Sequence, residues 1–196
     1  MPENYEKNHN SNQKTKAKKL PTSFYFKLGV FAAVFLCVAA FVINLRVQRI
    51  IEAKEVFGTY LSMTDHAFSP SDRYLDETNG TMVSCFSYRK EKSDFIASCI
   101  NFCNVLRDNS DFYKGERSRY ILVFKRGIKY FRFDNKKGRA ETNVFMEDYS
   151  VLEDFEKISC LQIDARFFTA KQRQHLNDIS SDYSFEMVIR RDEQIR

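Results

Sequence analysis

The chain has 196 residues, room for one domain of ordinary size plus an appendage, and its 19 Phe and 10 Tyr against 6 Gly and 3 Pro exclude a collagen-like or low-complexity protein. Its net charge of +5 is unevenly placed: residues 1–45 hold 6 Lys and Arg against 2 acids, which leaves 25 against 24 in the remaining 151. The pI of about 8.9 therefore reports a basic tail beside an apolar segment, and nucleic acid is not expected as a partner.

Residues 1–22 are rich in Asn, Lys, Gln and Glu and hold almost no apolar side chains, so they read as a disordered cytoplasmic tail whose lysines lean on anionic headgroups. Residues 23–45 read as a transmembrane signal-anchor helix. Leu28 to Ile43 carry no charged side chain, and Phe24 to Leu45 make 22 residues, about 33 Å of helix against a hydrocarbon core of about 30 Å. Lys7, Lys14, Lys16, Lys18, Lys19 and Lys27 precede the span and only Arg46, Arg49 and Lys54 closely follow it, which keeps the N-terminus in the cytoplasm and the bulk of the chain outside. The competing reading is a signal peptide cut near Ala40. Apolar residues Phe41, Val42 and Ile43 continue past that point, and the leading polar region is long for a signal peptide. Gly29, Ala33 and Cys37 recur at intervals of four and form a candidate stripe for helix–helix packing, although small residues are common in membrane helices anyway.

Residues 46–79 read as a juxtamembrane helix and a linker. Val47, Ile50, Ile51, Phe57, Tyr60 and Leu61 fall on one broad face, and a heptad register lasts barely two heptads, so the helix is expected to pack on its own domain. Thr64 to Asn79, polar and containing Pro70, reads as a linker or surface loop ending in an Asn79-Gly80 turn.

Residues 80–196 read as an extracytoplasmic α+β domain, with a mixed, mainly antiparallel sheet and packed helices. TMVSCFSY alternates as a strand. Ser93 is the expected N-cap of a helix striped by Phe95, Ile96, Cys99, Ile100, Cys103 and Leu106. RYILVFK and IKYFRF flank Arg126-Gly127 as a hairpin, and AETNVFM follows as a further strand. EDYSVLEDFEK reads as helix, ISCLQID as strand, AKQRQHLNDIS as a helix capped by Thr169, and YSFEMVIR as the closing strand.

Four cysteines, Cys85, Cys99, Cys103 and Cys160, lie on the expected outer side, where they could be core thiols, disulfide partners of unknown pairing or metal ligands. Arg117 to Arg139 hold nine basic side chains and one acid; Lys125, Arg126, Lys129, Arg132, Lys136 and Lys137 are candidate anion-binding residues. Internal pairing with the acidic run Glu147, Asp148, Glu153, Asp154 and Glu156 is the plainer explanation. Asn79-Gly80-Thr81 matches a glycosylation sequon. No nucleophile elbow, HExxH, phosphate loop, dinucleotide fingerprint or CxxC is present, so the sequence leans away from an enzyme and implies neither a cofactor nor a metal nor a small-molecule substrate. The expected function is that of a membrane-anchored binding or assembly module, a subunit or accessory of a cell-envelope complex. Its partners are the lipid bilayer and another membrane or envelope protein. The alternatives are a membrane-tethered enzyme or a secreted domain released by signal-peptide cleavage.

Overall fold

The computed structural model describes residues 22–91, 94–109, 119–153, 155 and 158–190. The expected disordered tail lies outside these residues except for Thr22, which opens the first helix instead. Helix α1, Thr22–Met63, runs for 42 residues without a proline to break it. By its contacts the chain divides into two compact units, Met1–Ile43 and Asn44–Arg196. In the first, every described side chain is exposed except the half-buried Ala39, and α1 is one helix long and apolar enough to cross a membrane.

The second unit begins within α1. There the buried positions narrow to Ala53, Phe57 and Leu61, one stripe at intervals of four, while Val47 and Ile51 stay exposed. The helix stops in a Schellman arrangement: His66 N donates to Leu61 O at 2.9 Å and Asp65 N to Ser62 O at 3.1 Å. Asp65 and His66 take left-handed φ values of 53° and 50°, a region where a short polar side chain costs least.

Seven strands follow: β1 Phe68–Asp76, β2 Thr81–Tyr88, β3 Tyr120–Arg126, β4 Lys129–Asp134, β5 Arg139–Thr142, β6 Cys160–Asp164 and β7 Glu186–Arg190. Helices α2, Phe95–Asp108, and α3, Ala170–Ile179, are the remaining described helices of more than one turn. The sheet order is the chain order, β1 to β7. The pairs β1–β2, β3–β4 and β4–β5 are antiparallel, whereas β2–β3, β5–β6 and β6–β7 are parallel. The sheet is thus evenly mixed, which corrects the expectation of a mainly antiparallel one. The hairpin is legible in the sequence, but β3, β6 and β7 each run parallel to the strand before them.

Further corrections have physical causes. The stretch expected to be a linker contains β1. Its alternation is hidden by a bulge between Pro70 and Asp72, and Pro70 is tolerated because β1 is an edge strand. Residues 147–153 form a single 3-10 turn, Ser150–Leu152, in place of a helix. Tertiary bonds draw them out: the Tyr149 hydroxyl donates to Val144 O at 3.1 Å, and Tyr149 N donates to the Tyr183 hydroxyl at 2.9 Å. Strand β5 ends at Thr142 because the Asn143 side chain leaves to bond the hairpin. The hairpin turn is Gly127-Ile128, one residue later than expected, with Gly127 at φ 59°. The expected cap Ser93 lies outside the described residues. Asp94 caps α2, accepting from Ile96 N at 2.9 Å and Ala97 N at 3.3 Å.

A shared hand of crossover explains the layering. All three parallel connections step the same way across the sheet, so one hand sends α2, residues 143–153 and α3 to one face. Buried residues from all of them, Phe102, Leu152 and Leu176 included, join Phe57, Phe86, Phe124, Phe131, Phe133, Leu161 and Ile163 in one core.

A cleft at the strand ends and a charged sheet face

Strands β2, β3, β5, β6 and β7 run one way, and their carboxyl ends gather the loops that shape the surface. A monotone strand order has no reversal point, so no crevice opens between diverging crossovers. A cleft of about 560 Å³ forms instead where the loop after β5 meets the start of α2 and the β3–β4 hairpin. Phe95, Val144, Phe145, Met146 and Val151 give it an apolar lining; Arg126 and Lys129 contribute positive charge and Asp94, Glu147 and Asp148 negative. A second depression of about 320 Å³ shares Phe145 and Glu147 and adds Lys171, Gln172 and His175 of α3.

The walls are held by specific bonds. Asn143 clamps the loop after β5 to the hairpin: its Oδ1 accepts from Tyr130 N at 2.8 Å, and its Nδ2 donates to Ile128 O at 2.8 Å. Arg126 donates to Glu91 O at 2.6 Å and lies over the Tyr88 ring at 5.5 Å. Lys129 has no ion pair among the described residues. The Asp148 carboxylate accepts from Ser150 N at 2.8 Å and from the Ser150 hydroxyl at 2.7 Å, and these bonds hold it below the ordinary carboxylate range. His175 Nε2 lies 2.7 Å from Glu147 O, joining α3 to the loop, and Thr169 closes a capping box with Gln172 at the same end. His66 lies exposed after α1. Apolar lining with charges of both signs suits an amphipathic polypeptide surface. Among the described residues, no group of three His, Cys, Asp or Glu side chains could hold a metal ion.

The six candidate anion-binding residues divide among three places. Arg126 and Lys129 are paired across the hairpin and share the cleft. Lys125 falls on the opposite face, because consecutive strand residues alternate. Arg132 is also on that face and pairs with Glu141 at 3.4 Å. Lys136 and Lys137 lie in the turn at the far end of β4. The expected pairing with the acidic run is not made among the described residues: Glu153 accepts from Ser184 N at 2.9 Å and Asp148 from Ser150, neither of them basic, while Asp154 and Glu156 lie outside the described residues. Gly29, Ala33 and Cys37 are exposed along α1, and a Cβ at Gly29 would meet nothing within 4 Å.

All five cysteines are free. Cys99 and Cys103 are fully buried on α2, and burial pushes both thiols well above their usual range. Cys85 and Cys160 lie on the opposite sheet face in β2 and β6, four strand spacings apart at about 4.8 Å each, far beyond the Cα separation a disulfide spans. Desolvation raises both of these thiols as well.

That opposite face holds a polar cluster that no sequence motif announced. The Tyr130 hydroxyl donates to Glu141 at 3.3 Å, and Arg190 approaches the same carboxylate at 4.0 Å. Desolvation and then Glu141 push the Tyr130 hydroxyl up to about 12. Arg166 holds Asp164 by two bonds of 2.8 and 2.6 Å. Between these groups Gln162 is only 7% exposed, and its Oε1 has no hydrogen-bond partner among the described residues. These residues come from four strands and one loop, and only the strand order brings them together. No protein-family model matches the chain, and neither a curated protein nor a solved structure matches it.

Proposed function

We propose that the chain is a single-pass membrane protein, N-terminus in the cytoplasm, whose outer domain is a binding or assembly module serving a cell-envelope complex. The observation that carries this reading is the exposed apolar surface of Phe26, Phe31, Phe35, Leu36, Phe41 and Ile43 on one uninterrupted helix. Such a surface costs free energy in water and is satisfied in lipid, where the helix meets its own backbone hydrogen-bonding needs. The cleft supports binding over catalysis: its lining is apolar, its charges are mixed in sign, and His175 is committed to a backbone carbonyl. The stripe Gly29, Ala33 and Cys37 is the proposed approach surface for a partner helix.

The test has two arms. The full-length chain should stay in the membrane pellet through carbonate extraction, and a reporter fused after Arg196 should be active only outside the cell. In microsomes the exposed β1–β2 turn provides a check on orientation, since Asn79 should gain a glycan that Asn79→Gln abolishes. A photo-crosslinking residue at Phe145 or Lys129 should trap one defined neighbour in native membranes. Release by carbonate, or a shortened product beginning near Phe41, would replace anchoring with secretion. Failure to crosslink a neighbour would remove the cleft from the reading.

A further inference from the structure

We infer that β7 is a self-association edge, through which two copies of the chain join their sheets antiparallel about a two-fold axis at Val188. The inference starts from where β7 directs its backbone. Glu186 N donates to Ser159 O at 3.0 Å, and Arg190 O accepts from Ala165 N at 2.9 Å, so Glu186 and Arg190 face β6. The N–H and C=O groups of one strand residue point to the same side, and the side alternates along the strand. Val188 therefore also faces β6, while Met187 and Ile189 present their groups to the open edge. Among the described residues no strand pairs with that edge.

An antiparallel copy centred on Val188 sets Met187 opposite the partner's Ile189, and the reverse. These are the residues with outward groups, and each then donates to and accepts from the other. The same register sets Glu186 opposite the partner's Arg190 on the open face, twice by symmetry, and Val188 against the partner's Val188 on the axis. A shift of register by one residue loses the hydrogen bonding, and a shift by two loses both charge pairs. The self-complementarity of Glu-Met-Val-Ile-Arg is what an isologous interface requires.

The other edge of the sheet shows what protection looks like. Strand β1 carries Pro70 and a bulge, and α1 guards it through Arg49, which lies 4.0 Å from Asp72 and 5.4 Å from the centre of the Tyr74 ring. Strand β7 has no proline and no bulge, and its three central residues are apolar and half-buried.

The test uses the full-length chain with Cys37, Cys85 and Cys160 changed to Ser. Facing residues at Val188 form a close pair without backbone bonds between them, a geometry that accepts a disulfide. Val188→Cys should give a covalent dimer under mild oxidation about tenfold faster than Met187→Cys or Ile189→Cys, neither of which faces its own copy. Glu186→Arg alone and Arg190→Glu alone should each weaken dimerisation about tenfold, and the double exchange should restore it. Because Arg190 also approaches Glu141, only that restoration separates the interface from a local role. Met187→Pro removes one outward donor and should give a folded monomer. Equal crosslinking at the three positions, absence of restoration, or capture of a different protein at Val188→Cys would overturn the proposal.

Discussion

On the face covered by helices, β2, β3 and β4 present Phe86, Phe124, Phe131 and Phe133; on the opposite face the same strands present Cys85, Val123 and Arg132. The covered face is an aromatic lattice, with Phe86 5.3 Å from Phe124, Phe57 5.0 Å from Phe86 and Phe102 5.5 Å from Phe124, measured between ring centres. The open face is held by Glu141, Arg132, Arg190, Asp164 and Arg166. Strands that alternate residue by residue can supply a packed interior and an ionic exterior at once. The difference teaches where stability resides: removing an interior ring leaves a cavity, whereas an exterior ion pair can be replaced by water.

The largest effect that would sharpen this contrast is the loss of a central ring. Phe124→Ala should destabilise by about 3–5 kcal/mol, read as a lower urea midpoint with little change in slope. A loss under about 1 kcal/mol would show that the lattice is loosely packed. Thiol labelling divides the two faces chemically. Cys85 and Cys160 should alkylate in the folded protein, while Cys99 and Cys103 should react only at the rate of unfolding, as mass spectrometry after a timed quench would show. Rapid labelling of all four would break the comparison.

A smaller effect carries the opposite sign. Gln162 is buried on the ionic face with an Oε1 unpaired among the described residues, so Gln162→Leu should be neutral or stabilising by about 1 kcal/mol, measured by thermal unfolding. The smallest effect is ionic. The Arg166 guanidinium holds the Asp164 carboxyl below the ordinary range, so the folded chain releases that proton more readily than the unfolded chain. The resulting stability is present above the unfolded pKa of about 3.9 and is lost as pH falls through the lower folded value. Asp164→Asn should therefore cost less than about 1 kcal/mol at pH 7 and flatten the acid limb of the stability profile.

The sequence made some of this visible because some elements are governed by local rules. Strand β2 is bounded by a turn at Gly80, α2 announces itself through its apolar stripe, and α3 through Thr169. Strand β1 was hidden because a bulge resets its alternation, and residues 147–153 because bonds to Val144 and Tyr183 override an acidic helical start. The cleft and the Glu141 cluster had no signature. Each draws single residues from separate loops or strands, and neither exists before the strand order does. Grouping Lys125 with Arg126 failed for a simpler reason, since neighbours in a strand look in opposite directions.

The strand order from β1 to β7 also bears on how the molecule comes into being. Each strand after the first lays itself against the one made just before it, so a chain emerging from the ribosome or a translocation channel never has to hold a place open for a later arrival. Loop closures stay modest, and the growing margin of the sheet is always the newest segment. Vectorial synthesis and the strand order therefore follow the same path, and β7, the latest of the described strands to be made, lies at the rim.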